Sequence, residues 1–174
     1  MLENTRSIRC ENLRRIVVGV DPKTSAEADS ETGIIVAGLD DKEGFFVIDD
    51  SSLNGSPEGW ARQVVAAYHR HRADRVIVET NQGGEMVEST LRAIDANLPI
   101  QRVTATHGKR TRAEPIAALY EQGRVHHVGM FAQLEDQLCS WLPGEKSPDR
   151  LDALVWALTA LAGGIRKRAT TKEY

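Results

Sequence analysis

The sequence predicts one α/β domain on a mixed five-stranded sheet, three antiparallel strands followed by parallel ones, with helices flanking it. Three observations lead there. Hydrophobic spacing switches repeatedly between period two and period three to four. The first fifty residues hold three β-rich runs joined by short polar or glycine-containing connections, which suits a meander. Beyond them helical and strand-like segments alternate, giving the order βββαβαβα with extra helices at the end.

"RIVVGV" reads as a buried first strand, "TGIIVAGLD" as its partner and "GFFVIDD" as the third. "NGSPEGWARQVVAAYHRHRA" opens a helix, with Ser56 placed to cap it, Pro57 at the first helical position and Glu58 in the first turn. Trp60, Val64 and Tyr68, with Ala61 and Val65 beside them, give that helix one apolar face. "DRVIVET" is the fourth strand, "GGEMVESTLRAIDANLP" a helix and "IQRVTAT" the fifth strand. Thr111 and Glu114 have capping-box spacing ahead of "PIAALYEQG", and Gly123 is placed to end that helix. A short "RVHHVG" segment follows, then a helix from Phe131 to Trp141 and a last helix after "GEKSPD" that Gly163 and Gly164 end. The expected organisation is an N-terminal linker or tail over 1–14, the folded domain over 15–165 and a basic flexible tail over 166–174.

A chain of 174 residues can bury one full core and not two comfortable ones. With 41% hydrophobic and 27% charged residues it falls among soluble globular proteins rather than disordered or membrane ones. No apolar run can span a bilayer and the N-terminus lacks a secretory apolar region, so the expectation is a cytoplasmic protein without a membrane partner. Cys10 and Cys139 are too isolated for a disulfide framework or a zinc pattern, and Cys139 in "LEDQLCSWL" reads as buried packing. A net charge of −3 argues against holding nucleic acid by bulk electrostatics alone. The charge is uneven, however: "LDDKEG" and "VIDD" are acidic, whereas "HRHR", "HGKRTR" and "IRKR" are basic.

Asp21 closes the first strand and Glu79 closes the fourth, and sites in open α/β sheets form at strand ends. In "SPDRLDALVWALTAL", Ser147 can cap the helix and Pro148 start it, which puts Asp149 and Asp152 in the opening turn. At roughly 100° per residue, Leu151, Leu154, Val155, Leu158 and Leu161 form a stripe with the two acids on its flank. If that helix packs near the ends of strands one and four, Asp21, Glu79 and Asp152 converge. Carboxylates gathered in this way repel one another unless a cation sits among them. Hard oxygen ligands without a partnering Cys or His favour Mg2+ or Mn2+ over zinc. Two such ions roughly 3.5–4 Å apart can stabilise the attacking water and the leaving oxygen of a phosphodiester. Simpler readings exist for single residues: Asp-Pro after a strand marks a turn, and Asp149 complements a helix dipole. The adjacent His126 and His127 would face opposite sides of a strand and cannot both ligate one ion.

"VVGVDP", "VIVETNQGG", "HGKRTRAEPIAALYEQGRVHH" and "SPDRLDALVWALTAL" resemble, in order, the C-terminal nuclease domain of the phage or prophage terminase large subunit. The resemblance runs from about Arg15 to Leu161, and "ETNQGG" and "DRLDALVWA" are its most specific parts. It implies a ribonuclease H-like fold and a metal-dependent endonuclease cutting double-stranded DNA. It also implies that Asp21, Glu79 and Asp152 are the catalytic metal ligands, with Asp149 as an auxiliary one. Lys109, Arg110 and Arg112 match the positions that touch DNA, and a helix N-terminus there also attracts phosphate. A complete packaging machine implies an ATPase domain, a small terminase subunit and a portal as partners, in the host cell cytoplasm. No G-x-x-x-x-G-K-[ST] pattern occurs in this chain, since "HGKRT" lacks the upstream glycine, so it does not carry that motor itself.

Two other functions fit the same residues. A Holliday-junction resolvase shares the fold and the i, i+3 pair of acids on the last helix, and prefers four-way junctions to linear duplex. A non-catalytic DNA-binding or packaging-partner module would use the carboxylates as a structural cation site, which does not need acids from three distant segments.

Overall fold

The computed structural model describes Arg6 and residues 10–22, 31–80, 83–142, 145–146 and 148–171, with backbone alone at Lys109 and at 164–171. In chain order its elements are β1 (Leu13–Asp21), β2 (Glu31–Asp40), β3 (Phe45–Asp50), β4 (Leu53–Asn54), α1 (Pro57–Arg70), β5 (Arg75–Glu79), α2 (Gly84–Ile94), β6 (Ile100–Val103), α3 (Lys109–Glu121), β7 (Val125–His127), α4 (Ala132–Ser140) and α5 (Asp149–Thr171).

The sheet runs β6-β5-β1-β2-β3-β7, and β4 pairs with the start of β2. β1, β2 and β3 form the expected antiparallel meander, and β5 and β6 add in parallel beside β1. All five expected strands are present. β4 and β7 are additional, the latter made by "VHH" lying parallel to β3. Alternation along β1 sends Val17 to one face and Val18 and Val20 to the other. The first face is covered by α3, α4 and α5 through Ile116, Leu134, Leu154, Leu158 and Leu161. The second is covered by α1 and α2 through Trp60, Val64, Val87 and Leu91. Cover on both faces is why the central strands read as unbroken apolar runs.

Ser56 caps α1 as expected, its hydroxyl accepting the Gly59 N–H at 3.1 Å. Ser56→Ala should therefore cost about 1 kcal/mol, read as a lower urea midpoint with an unchanged slope.

Three expectations need correction, those for the start of α3, the end of α5 and Cys139. α3 starts at Lys109 with Gly108 as its N-cap, so Thr111 and Glu114 lie inside the helix and form no capping box. The extra turn is held from outside the segment, because the Arg112 guanidinium packs over the Trp156 ring of α5 at 4.6 Å. α5 continues through Gly163 and Gly164 to Thr171, taking in residues 166–171 of the expected tail. Glycine weakens a helix interior without forbidding it. Cys139 is exposed, because α4 turns Leu134 and Leu138 toward the core and leaves the cysteine outside. At the other end, β1 begins at Leu13 and Arg6 forms a parallel bridge to His127, so part of the expected linker contacts the domain. The Ser147 cap and Asn81 and Gln82 of "ETNQGG" lie outside the described residues.

Candidate active site

Asp21 and Glu79 end adjacent parallel strands. The β1/β5 register pairs Val20 with Val78, and these two acids are the next residues on each strand. Neighbouring strands lie about 4.8 Å apart, so the two backbones enter the site side by side. Alternation also fixes their face. Asp21 shares parity with Val17, and Glu79 with Ile77, and both of those residues pack in the core beneath α5.

α5 brings the other two acids to the same end. Asp21 pairs with Gly33 of β2, and a Cβ added at Gly33 would stand 2.1 Å from the Asp149 carbonyl oxygen. The first turn of α5 therefore rests on the sheet beside Asp21 at a distance only glycine permits. At Gly19, an added Cβ would meet the Ala153 carbonyl oxygen at 2.3 Å, so the next turn sits equally close. Asp152 is buried, at 7% exposure, and its N–H bonds the Pro148 carbonyl at 3.0 Å. Asp21, Glu79 and Asp149 are half-buried.

The donor set is all carboxylate oxygen, the chemistry a hard divalent cation takes. Among the described residues, no three His, Cys, Asp or Glu side chains already stand together as a metal cluster. Asp21 and Glu79 enter from neighbouring strands, and the first turn of α5 rests on Gly33 beside Asp21.

Sequence reasoning missed Arg150, which follows Asp149 in the first turn of α5. It is 6% exposed, and its guanidinium engages Glu31 of β2, Asp50 of β3 at 2.8 Å and Gln133 of α4 at 2.6 Å. An arginine four residues ahead of Leu154, in line with the apolar stripe of the helix, was the available signal.

The basic residues sit on α3. Lys109 opens the helix, exposed Arg110 pairs with Glu114 at 3.1 Å, and Arg112 lies on Trp156 with its buried Nε making no hydrogen bond among the described residues. His126 and His127 point to opposite faces as expected, His126 lying against Phe46 with ring centroids 5.2 Å apart and His127 fully buried.

His127 belongs to a second polar group that sequence reasoning did not find. Its Nε2 accepts from the Tyr120 hydroxyl at 2.8 Å, and its Nδ1 donates to Glu135 at 3.1 Å. Arg6 closes the chain on Glu135 at 3.2 Å. Burial, with the Glu135 charge nearby, pushes the Tyr120 phenol far above its ordinary value, so it stays a donor. Burial lowers His127 below its ordinary 6.5 even though Glu135 opposes this. Burial acts to raise Glu135, but bonds from His127, the Phe131 amide and Arg6 hold it below its ordinary 4.5.

The signs agree. Below about pH 6.5 the unfolded imidazole takes a proton that the folded one resists, and Glu135 adds the same effect below about pH 4.5, so acid destabilises the fold. The urea midpoint should fall between pH 7 and pH 5, by at most about 1.4 kcal/mol of stability per pH unit for one proton. His127→Gln should flatten that dependence.

Among the described residues no helix is long and apolar enough to cross a membrane. No curated protein sequence matches the chain. Its fold is similar to that of the large terminase nuclease from thermophilic phage G20c, with a TM-score of 0.66, 16% identity and coverage of 86% of this chain and 85% of that one. It is also similar to the yeast mitochondrial Holliday junction resolvase Ydc2, with a TM-score of 0.56, 15% identity and coverage of 94% and 82%. The HK97 bacteriophage large terminase matches with a TM-score of 0.66 and 13% identity over 91% of this chain and 42% of its own. Residues 18–161 match the family model of the terminase RNaseH-like domain, and with the mixed sheet and helix layers described above the chain belongs to that family.

Proposed function

We propose that the chain is a divalent-metal-dependent endonuclease for double-stranded DNA, acting as the nuclease part of a terminase large subunit that cuts concatemeric viral DNA during packaging. The observation that carries this reading is the arrival of Asp21, Glu79 and the first turn of α5 at one end of the sheet on one face. Asp21, Glu79 and Asp152 would hold the ions, with Asp149 auxiliary. Bound Mg2+ or Mn2+ would supply Lewis-acid stabilisation of the attacking and leaving oxygens. The phage G20c nuclease has been solved with bound magnesium, zinc and cobalt, which supports a divalent site in this fold. Lys109, Arg110 and Arg112 would contact backbone phosphates from α3. The ATPase domain, small terminase subunit and portal belong to the same proposal, as does a place in the host cell cytoplasm.

The likeness to the Ydc2 resolvase favours a second reading, cleavage of four-way junctions. Incubating the chain with supercoiled plasmid and a four-way junction in Mg2+, Mn2+ or EDTA separates the two. Metal-dependent nicking and linearisation of plasmid without junction preference supports the terminase nuclease, whereas junction preference supports the resolvase. A folded chain that cuts neither substrate with either ion defeats both.

A further inference from the structure

We infer that Arg150 is a positioning residue for the acid site, setting the rotation of α5 about its axis so that Asp149 and Asp152 face the ends of β1 and β5. The inference rests on the nuclease reading above. Arg150 is adjacent to Asp149 and two residues from Asp152. At roughly 100° per residue it projects about 200° around the helix from Asp152. Its guanidinium is bound to Glu31, Asp50 and Gln133, and it acts on the site through the helix.

Its grip is distributed over three elements. Nη1 engages Glu31 at the start of β2, Nε bonds Asp50 at the end of β3 at 2.8 Å, and Nη2 bonds Gln133 of α4 at 2.6 Å. Three nitrogens of one planar group bound to three elements leave that group little freedom to rotate, a constraint that a point-charge ammonium cannot reproduce. Gln137 of α4 adds a hold on the next residue, accepting the Leu151 N–H at 3.3 Å. Two residues along β2 from Glu31, the same turn rests against Gly33, which pairs with Asp21. The clamp and the glycine contact thus act on the same turn, and at roughly 100° per residue Asp152 projects on the far side of the Ala153 contact from Arg150.

The test compares the wild-type chain with Arg150→Gln, Arg150→Lys and the charge-compensated pair Arg150→Gln with Asp50→Asn. Each is followed by thermal melting, by calorimetric Mn2+ binding and by plasmid cleavage over a range of Mn2+ concentrations. The expected result is a cooperative melt with the Mn2+ dissociation constant and the half-maximal Mn2+ concentration for cleavage both raised at least about tenfold in the Gln variants, the lower end of what supporting partners of metal ligands cost. Arg150→Lys should fall between them and the wild type, and it decides by the same readouts if the Gln variants do not fold. Folded variants with the wild-type Mn2+ dependence overturn the inference while leaving the nuclease reading intact. A wild-type chain that neither binds Mn2+ nor cuts DNA defeats the nuclease reading, and the positioning role with it.

Discussion

Asp21→Asn and Asp152→Asn are each expected to lower metal-dependent plasmid cleavage by on the order of a hundredfold or more while the protein still melts cooperatively. Outer partners of metal ligands already cost about 10–100-fold when removed, and a direct ligand should cost more. Asn keeps the volume of Asp but replaces one hard oxygen by an amide nitrogen and removes the charge that attracts the cation. Preserved volume matters most at Asp152, which is buried beside Ala153 and Val155 of the core. Glu79→Gln should behave alike, and Asp149→Asn should cost less if its role is auxiliary.

A second measurement separates lost ligation from lost folding. A ligand that binds only the native state stabilises it by about 2.7 kcal/mol at a hundred times its dissociation constant. Mn2+ should therefore raise the melting temperature of the wild type and leave that of Asp21→Asn and Asp152→Asn nearly unchanged. Cleavage that survives in all four variants would show that these acids are not the catalytic set.

What could be read from the sequence followed the range of the interactions involved. The central strands were legible because sheet burial imposes continuous apolar runs, and Asp21 and Glu79 stood out as the charges that end them. The α1 cap was legible because Ser56, Pro57 and Gly59 settle it among themselves. The start of α3 was not, because the turn is held by Arg112 against a tryptophan forty-four residues on in α5. β7 was hidden in three residues whose strand character depends on pairing with Phe45, Phe46 and Val47. Arg150 and the Tyr120–His127–Glu135 chain escaped for the same reason. Their partners come from other elements, and a buried arginine or histidine has no local pattern that names its partner. Strand ends and the two acids of the last helix could thus be listed from sequence. That they share a face required the parity of Val17 and Ile77 and the contact at Gly33.

Gly33 offers the second large effect. In Gly33→Ala the new Cβ would lie 2.1 Å from the Asp149 carbonyl oxygen, 2.6 Å from its carbon and 3.0 Å from the Ala153 Cβ. The nearest of these are backbone atoms and cannot rotate aside, so the first turn of α5 must lift from the sheet. Overpacking of this kind costs about 1–3 kcal/mol, which a urea midpoint reads directly. Gly163→Ala is the matched control, since nothing lies within 4 Å of the added atom. There alanine should stabilise the helix by about 0.5–1 kcal/mol. The informative quantity is cleavage measured well below the melting transition of Gly33→Ala. Asp149 and Asp152 ride on the displaced turn, and a shift of about 1 Å in a catalytic group can cost on the order of a hundredfold in rate. A folded Gly33→Ala should therefore lose far more activity than stability. If it keeps wild-type cleavage despite a lowered midpoint, the seat of α5 on Gly33 serves packing alone, and the acids must reach one another without it.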